Sequence, residues 1–358
     1  MSATQDVVKF SRISMTLMGD LKENSALSRR KNDQSNQQLL QHPYEYVRYH
    51  IQRGFGYQKS IDLMEAELLY KNIKQMSIAV LGVGVLLLWL IFPNTKRKRQ
   101  MEAFLTKDYA HRGLHGKGTP ENSLKAFQRA CEHGYGIELD VQLSRDGVPV
   151  VFHDRTLQRM CQADGEIKDY TLEDLKFSLL GSKEPIPTFR QVLDLVDGRV
   201  PLLIELKMTE ERERLVNAVL LELESYQGEY LVESFDPRIL QVLRKKDPTI
   251  LIGQLSGGLF SQKKSLSRFM ADRLLWNVYS RPDFIAYQHH RGRVLLMFYS
   301  WLFEIPVFSY TIKNQRDYHL KRWFTSHIFE GFLPVSEGRV RAKRKSPKLL
   351  PARTSLGK

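Results

Sequence analysis

The sequence predicts an α/β fold closed as a (β/α)8 TIM barrel and preceded by one transmembrane helix. Three observations point there. Strand-like and helix-like segments alternate over roughly 230 residues, the pattern of a parallel sheet, either doubly wound or closed. Histidines, acids and cations gather at the ends of several different strand-like segments, which favours the closed form, because a barrel collects its site from all its C-terminal strand ends. A charge-free apolar run at 76–92 lies shortly before four consecutive cations, Lys96, Arg97, Lys98 and Arg99.

Residues 1–75 read as a polar, partly helical N-terminal region. The first forty or so are rich in Ser, Asn, Gln and Lys, a composition that stays loosely ordered. Ile61, Met64 and Leu68 recur at helical spacing, so a helix leads into the apolar run, interrupted earlier by Gly54 and Gly56. The run itself, MSIAVLGVGVLLLWLIF at 76–92, is 17 residues long, near the lower limit for a membrane-spanning helix. Trp89 sits near one end, where an interfacial aromatic belongs. A removed signal peptide is excluded by the 75 residues ahead of it and the lack of a small-residue cleavage site. A buried core helix is the competing reading. The cations after residue 92 outweigh Lys71 and Lys74, which Asp62, Glu65 and Glu67 dilute. Positive-inside bias therefore predicts a single-pass protein of the cell membrane with its large C-terminal domain in the cytoplasm.

That domain is expected over 106–336. Its strands are predicted at 109–112, 136–141, 148–152, 201–207, 230–234, 250–254, 284–287, 307–311 and 326–329. Helices are predicted between them at 123–133, 189–196, 210–225, 237–246 and 315–324. Residues 337–358 read as a disordered basic tail: from Arg339 onward there is no acidic residue and there are two prolines. Such a tail is attracted to anionic lipid.

With 358 residues and 42% hydrophobic content the chain can build a sizeable core. The net charge of +14 fits nucleic acid, an anionic membrane or a phosphate-bearing substrate. Zinc-finger spacing, a GKS or GKT phosphate loop and an RNA-binding aromatic motif are absent, so no nucleic-acid partner is expected. Cys131 and Cys161 lie in no CxxC pair, which excludes a zinc knuckle and a disulfide framework.

Glu138 and Asp140 stand two apart in an extended segment, so their carboxylates share a face, and the same parity joins Glu205 to Lys207. Inside a barrel, unpaired carboxylates are costly. One divalent cation, Mg²⁺ or Ca²⁺, relieves that cost with oxygen ligands from Glu138, Asp140 and Glu205. Internal salt bridges with Arg112 and Lys207 are the blander alternative. His111 ends the first barrel strand and His153 follows the strand just beyond the second. Two imidazoles beside a phosphate can divide the work, one taking a proton and the other giving one. Arg112 offers a planar fork to phosphate oxygens and Lys207 a compact charge. Glu121 is either a further ligand or an acid at a helix start, with Asn122 or Ser123 as the cap. His289 and His290, adjacent in a loop, could line a pocket. No GxSxG elbow, HExxH pair or reactive-cysteine motif is present.

The runs Ala110-His111-Arg112-Gly113, Pro120-Glu121-Asn122-Ser123, Glu138-Leu139-Asp140-Val141, Asp146-Gly147, Val151-Phe152-His153-Asp154, Leu157 with Arg159, Ile186-Pro187-Thr188 and Ile204-Glu205-Leu206-Lys207 occur in order. In order and spacing they resemble the glycerophosphodiester phosphodiesterase family, of the bacterial membrane-anchored type. The likeness runs over about 109–334, strongest in the first half; Glu233-Ser234-Phe235 and Tyr310-Thr311 are its main echoes in the second. It implies a TIM barrel with a small insertion after strand 2, near 155–185. It implies that His111 and His153 are acid and base, that Glu138, Asp140 and Glu205 bind a divalent metal, and that Arg112 and Lys207 contact phosphate. The implied reaction is hydrolysis of a small-molecule glycerophosphodiester to glycerol phosphate and an alcohol, in lipid metabolism. Two departures touch the pocket for the alcohol: Phe329-Glu330-Gly331-Phe332 stands where better-known members have an Asp-containing strand, and Tyr310 where they have tryptophan. Alternatives from other classes are a membrane-tethered protein that binds phospholipid headgroups without turnover, and a phospholipase acting on intact lipid.

Overall fold

A computed structural model describes residues 57–181, 184–257, 265–288, 293–320 and 324–335. The expectations for residues 1–56, for His289 and His290 and for the tail at 337–358 lie outside the described residues. The chain divides into two compact units, Met1–Leu87 and Leu88–Lys358.

A continuous helix covers Tyr57–Ile91. Its segment Met64–Ile91, 28 residues with a mean hydropathy of 1.9, is long and apolar enough to cross a membrane. The helix begins before the expected 76–92 and ends one residue short of it. Lys71 is spaced to pair with Glu67, 3.2 Å away, so its charge does not interrupt the helix. Phe92 falls outside because Pro93 disfavours helical geometry in the residue before it. Val80 and Leu81 are 70% and 68% exposed, which removes the core-helix reading.

The second unit is the barrel. Its staves are β1 (Tyr109–Ala110), β2 (Gly136–Leu143), β6 (Leu202–Leu206), β7 (Tyr230–Ser234), β8 (Ile252–Ser256), β9 (Phe284–Gln288), β10 (Val307–Ile312) and β11 (Ser326–Phe329). All pair in parallel, and β1 closes the ring by bonding both β2 and β11. The strand expected at 148–152 is β3 (Pro149–Val151), which folds back antiparallel on β2 with Val151 opposite Val141. The tight turn at Asp146-Gly147, with Gly147 at φ +87°, makes this a hairpin rather than a stave. The insertion after strand 2 carries a two-stranded ribbon, β4 (Leu179–Leu180) with β5 (Glu184–Pro185).

Strand alternation sorts the core. Ile137, Leu139, Ile204 and Val232 face outward onto the helices Leu124–Glu132, Phe189–Val196, Arg212–Leu223 and Pro237–Lys246. Tyr109, Leu203, Leu231, Phe284 and Phe308 form a second buried cluster with Met101 and Phe104, residues that precede the first stave. Each such side chain contributes about 1.5–3 kcal/mol when buried. Helix starts are set by side chains: Ser123 caps one, Thr188 and Gln191 form a capping box, and Asp236 caps a helix with Pro237 in its first turn. Helices at Leu266–Asp272 and Arg293–Phe303 were not expected, because their sequences lack a polar face at regular spacing.

Gly113 ties fold to site. Its φ of +78° is left-handed, and a Cβ there would sit 2.9 Å from the Ala126 backbone and the Phe127 ring. Gly113→Ala is expected to lower stability by about 2–3 kcal/mol, read as a fall in Tm. An unchanged Tm would show that the loop yields freely.

Candidate active site

The ends of β1, β2, β6 and β7 and the loop after β3 converge. At β1, the His111 amide donates to the Phe329 carbonyl (2.9 Å). Arg112 then adopts φ +53°, which turns its own N–H onto Glu138 Oε2 at 2.8 Å. A non-glycine residue in that conformation carries strain that the surroundings must impose. Asn122, at φ +56°, donates from its backbone to the Arg112 carbonyl (3.0 Å) and from its side chain to Asp140 Oδ2 (2.8 Å). Asn122 is thus a support for Asp140, whereas Ser123 is the helix cap, accepting from Ala126 N at 3.2 Å.

Register sets the carboxylates side by side. Asp140 on β2 lies opposite Glu205 on β6, and Glu205 opposite Glu233 on β7. Glu138, Asp140 and Glu205 each bring one oxygen within 4.8 Å of the others. Lys207 Nζ reaches Glu205 Oε1 at 2.8 Å and Asp140 Oδ1 at 3.0 Å. Arg112 Nε lies 3.4 Å from Asp140 Oδ2, and its Nη1 donates to Glu121 at 2.7 Å.

Burial raises these carboxyl pKa values, and neighbours decide the outcome. Burial pushes Glu205 up to about 7 despite Lys207. Glu138 stands well above the ordinary range through burial and its neighbours Asp140 and Glu205. For Asp140 burial is outweighed by Lys207, His153 and Arg112, which hold its pKa far down. Glu233 is buried with one oxygen lacking any partner, and burial beside Glu138 and Glu205 raises it strongly.

Four inward carboxylates, Glu138, Asp140, Glu205 and Glu233, thus face two cations, Lys207 and Arg112. A divalent cation would relieve the mutual repulsion that helps to raise Glu138 and Glu205, and the all-oxygen donor set fits a hard one. The residues present therefore fit a divalent metal.

Both histidines are oriented by carboxylates. His111 Nδ1 lies 3.0 Å from Glu330 Oε2, and its Nε2 is 4.0 Å from Glu138. His153 Nδ1 lies 2.6 Å from Asp154 Oδ1. Gln142 donates to the carbonyls of Phe152 (2.7 Å) and Asp154 (2.8 Å) and so holds the loop that carries His153. Burial lowers both imidazole pKa values, against the raising effect of Glu330 on His111 and of Asp140 and Asp154 on His153. The hydrogen bond from His111 holds Glu330 at about 2. Each histidine so fixed leaves Nε2 for proton transfer.

All seven predicted residues, His111, His153, Arg112, Lys207, Glu138, Asp140 and Glu205, meet at this end of the barrel. Arg112 and Arg159 bridge Glu121, and Arg159 also binds Asp154. Glu330 and Asp154 as histidine partners, and Glu233 as a fourth carboxylate, are additions from the structure. The signal for Asp154 was its place beside His153; for Glu233 it was its place in a strand-like segment, in the run Glu233-Ser234-Phe235. Glu330 had no local signal, because its partner lies 219 residues away.

Without metal, the stability of the fold should fall as pH rises above about 6.5, the ordinary histidine value. Glu205 has a folded pKa of about 7 against an ordinary 4.5, so the unfolded chain binds fewer protons between those values. Its contribution is complete below pH 4.5 and is lost through pH 7, and Glu138 and Glu233 extend the loss upward. Asp140 acts oppositely below its ordinary 3.8, and His111, His115 and His153, lowered by burial, act oppositely up to their ordinary 6.5, so the net fall is expected above pH 6.5. Thermal melts in EDTA are expected to show Tm declining as pH rises above about 6.5, with a Mg²⁺-induced rise in Tm that grows with pH over that range. A metal-induced shift independent of pH would contradict it.

The family profile for glycerophosphoryl diester phosphodiesterases matches residues 111–323. A glycerophosphodiester phosphodiesterase of Caldanaerobacter subterraneus is 36% identical over 161 residues, 41% of this chain and 65% of that protein, a little under two thirds of it. One of Bacillus altitudinis is 36% identical over 171 residues, 44% of this chain and 69% of that protein. Among solved structures, a phosphodiesterase of Oleispira antarctica in complex with the product sn-glycerol-3-phosphate superposes with a TM-score of 0.53 at 24% identity, covering 64% of this chain and 94% of that one. That likeness carries the fold.

Proposed function

The chain belongs to the glycerophosphoryl diester phosphodiesterase family, and from that premise we propose that it hydrolyses a glycerophosphodiester to glycerol phosphate and an alcohol with the help of one divalent cation. The observation that carries the reading is the pairing of two carboxylate-oriented histidines with a buried acidic trio at one barrel end. Glu138, Asp140 and Glu205 would hold the metal. When bound, that ion supplies positive charge to the phosphoryl oxygens.

Arg112 and Lys207 add the protein's own cations. Asp140 and Glu121 hold the Arg112 guanidinium in place, and Asp140 and Glu205 hold Lys207, so neither has to be ordered when substrate arrives. One histidine takes a proton from the attacking hydroxyl and the other protonates the leaving alcohol oxygen at its Nε2. A headgroup-binding protein without turnover would need the cations but not two oriented imidazoles.

The segment Met64–Ile91 anchors the chain in the cell membrane as a single pass, and the cations at 96–99 favour the cytoplasmic side for the barrel. The substrate would then come from the turnover of membrane lipid.

The test is purified full chain in detergent with glycerophosphocholine and related diesters, in Mg²⁺, Ca²⁺ or EDTA. Release of glycerol phosphate with metal and its loss in EDTA are expected. A folded, metal-loaded chain that cleaves no diester would overturn the reading.

A further inference from the structure

Helix Arg293–Phe303 is apolar on two opposite faces. Leu296, Tyr299 and Phe303 are buried against the barrel, in one cluster with Ile91. On another face, Phe298, Trp301 and Leu302 stand 47%, 73% and 39% exposed at i, i+3 and i+4. A helix apolar all round is not made for water on one side.

The same helix is fastened to the end of the apolar span. Tyr299 donates its hydroxyl to the Ile91 carbonyl at 3.0 Å, and Asn277 reaches the same oxygen at 3.3 Å. The Phe92 ring meets Phe303 edge-on with centroids 5.3 Å apart. Arg281 lies over the Trp89 ring at 5.0 Å and donates to the carbonyls of Trp89 (2.6 Å) and Phe92 (2.9 Å). Exposed Lys96 and Arg99 follow within two turns. Phe303 against Phe92, and Glu304 paired with Lys98 at 2.8 Å, bring the C-terminal end of this helix, which carries the exposed Trp301 and Leu302, to the place where the apolar stretch ends and the cations begin. Aromatic rings and cations together are the composition of a bilayer interface.

We propose that the Phe298, Trp301 and Leu302 face lies in the interfacial layer of the bilayer crossed by Met64–Ile91, so that the barrel is seated on the membrane rather than swinging from a tether. The inference rests on the anchoring reading above and adds a second, peripheral contact. Its ligand is the headgroup and upper acyl region of an anionic bilayer, and it fixes how the barrel stands on the membrane.

The test uses the full chain in vesicles of phosphatidylcholine and phosphatidylglycerol. With Cys131→Ser and Cys161→Ser as background, a nitroxide is placed through Trp301→Cys or, as a control, through Leu221→Cys, whose native side chain is 66% exposed on the helix Arg212–Leu223. The ratio of oxygen to nickel-chelate collisions is expected to be several-fold higher at 301 than at 221. Flotation with equal ratios at the two sites would overturn this inference and leave the anchor standing. Failure to float with vesicles would overturn both. Shielding of 301 from both reagents with spin–spin broadening would mark a second copy of the chain as the occupant and also overturn it. Should the cysteine variants fold poorly, brominated lipid gives a second measurement on the native chain: its quenching of tryptophan fluorescence should drop in Trp301→Phe, and an undiminished quench would count against the proposal.

Discussion

Alanine at Glu138, Asp140 or Glu205 should abolish diester hydrolysis through loss of the metal, and Asp140 should cost the most. Its two oxygens bind Lys207 at 3.0 Å, Asn122 at 2.8 Å and Arg112 at 3.4 Å. Removing it leaves Lys207 facing Glu205 alone and strands a buried amide. Breaking one partner out of such a buried pair costs about 3–5 kcal/mol, so Asp140→Ala should also melt earlier. Asp140→Asn keeps the volume and separates the two losses. Isothermal titration with Mg²⁺ or Ca²⁺ is the readout. Affinity should collapse in all three alanine variants, and excess metal should partly restore turnover. Glu205→Ala tests the charge balance further, because Glu233 lies beside it in register and can supply an oxygen in its place. The smallest loss of affinity is therefore expected there. Near-native metal affinity in all three variants would show that the trio serves only as salt-bridge partners of Arg112 and Lys207.

The barrel and the core of this site were readable in the sequence because both are local patterns. Glu138 with Asp140, and Glu205 with Lys207, announce an inward face by parity alone, and the pleat of a strand makes that parity binding. Asp236 before Pro237 marks a helix start in the same local way. What escaped was set by distance along the chain. Glu330 meets His111 only because β11 closes the ring against β1. The same closure turns a residue that looked like a departure in the substrate pocket into a partner of His111. Arg159 binding both Glu121 and Asp154 depends on how the insertion folds over the strand ends. The helix Arg293–Phe303 escaped for a different reason. With apolar side chains on both faces it carries no amphipathic rhythm.

Replacing His111 or His153 by alanine should leave metal affinity nearly unchanged and lower kcat by about 10²- to 10⁴-fold. Added metal should not restore it. A loss of metal as severe as in the carboxylate variants would make the histidines ligands. Which of them is acid and which is base can be tested through their carboxylates. Glu330 raises the His111 pKa by its hydrogen bond, and Asp154 raises that of His153, while burial holds both below the ordinary 6.5. Glu330→Gln therefore lets the His111 pKa fall further, and Asp154→Asn does the same for His153. In a bell-shaped profile of kcat/KM, the acid limb belongs to the base, which must be unprotonated, and the alkaline limb to the acid, which must hold its proton. Each variant should shift one limb to lower pH and leave the other in place. If Glu330→Gln moves the alkaline limb, His111 is the proton donor to the leaving alcohol and the optimum narrows. If it moves the acid limb, His111 is the base and the optimum broadens. Asp154→Asn should then move the opposite limb. Both variants moving the same limb, or neither moving any, would overturn the division of proton transfer between these two residues.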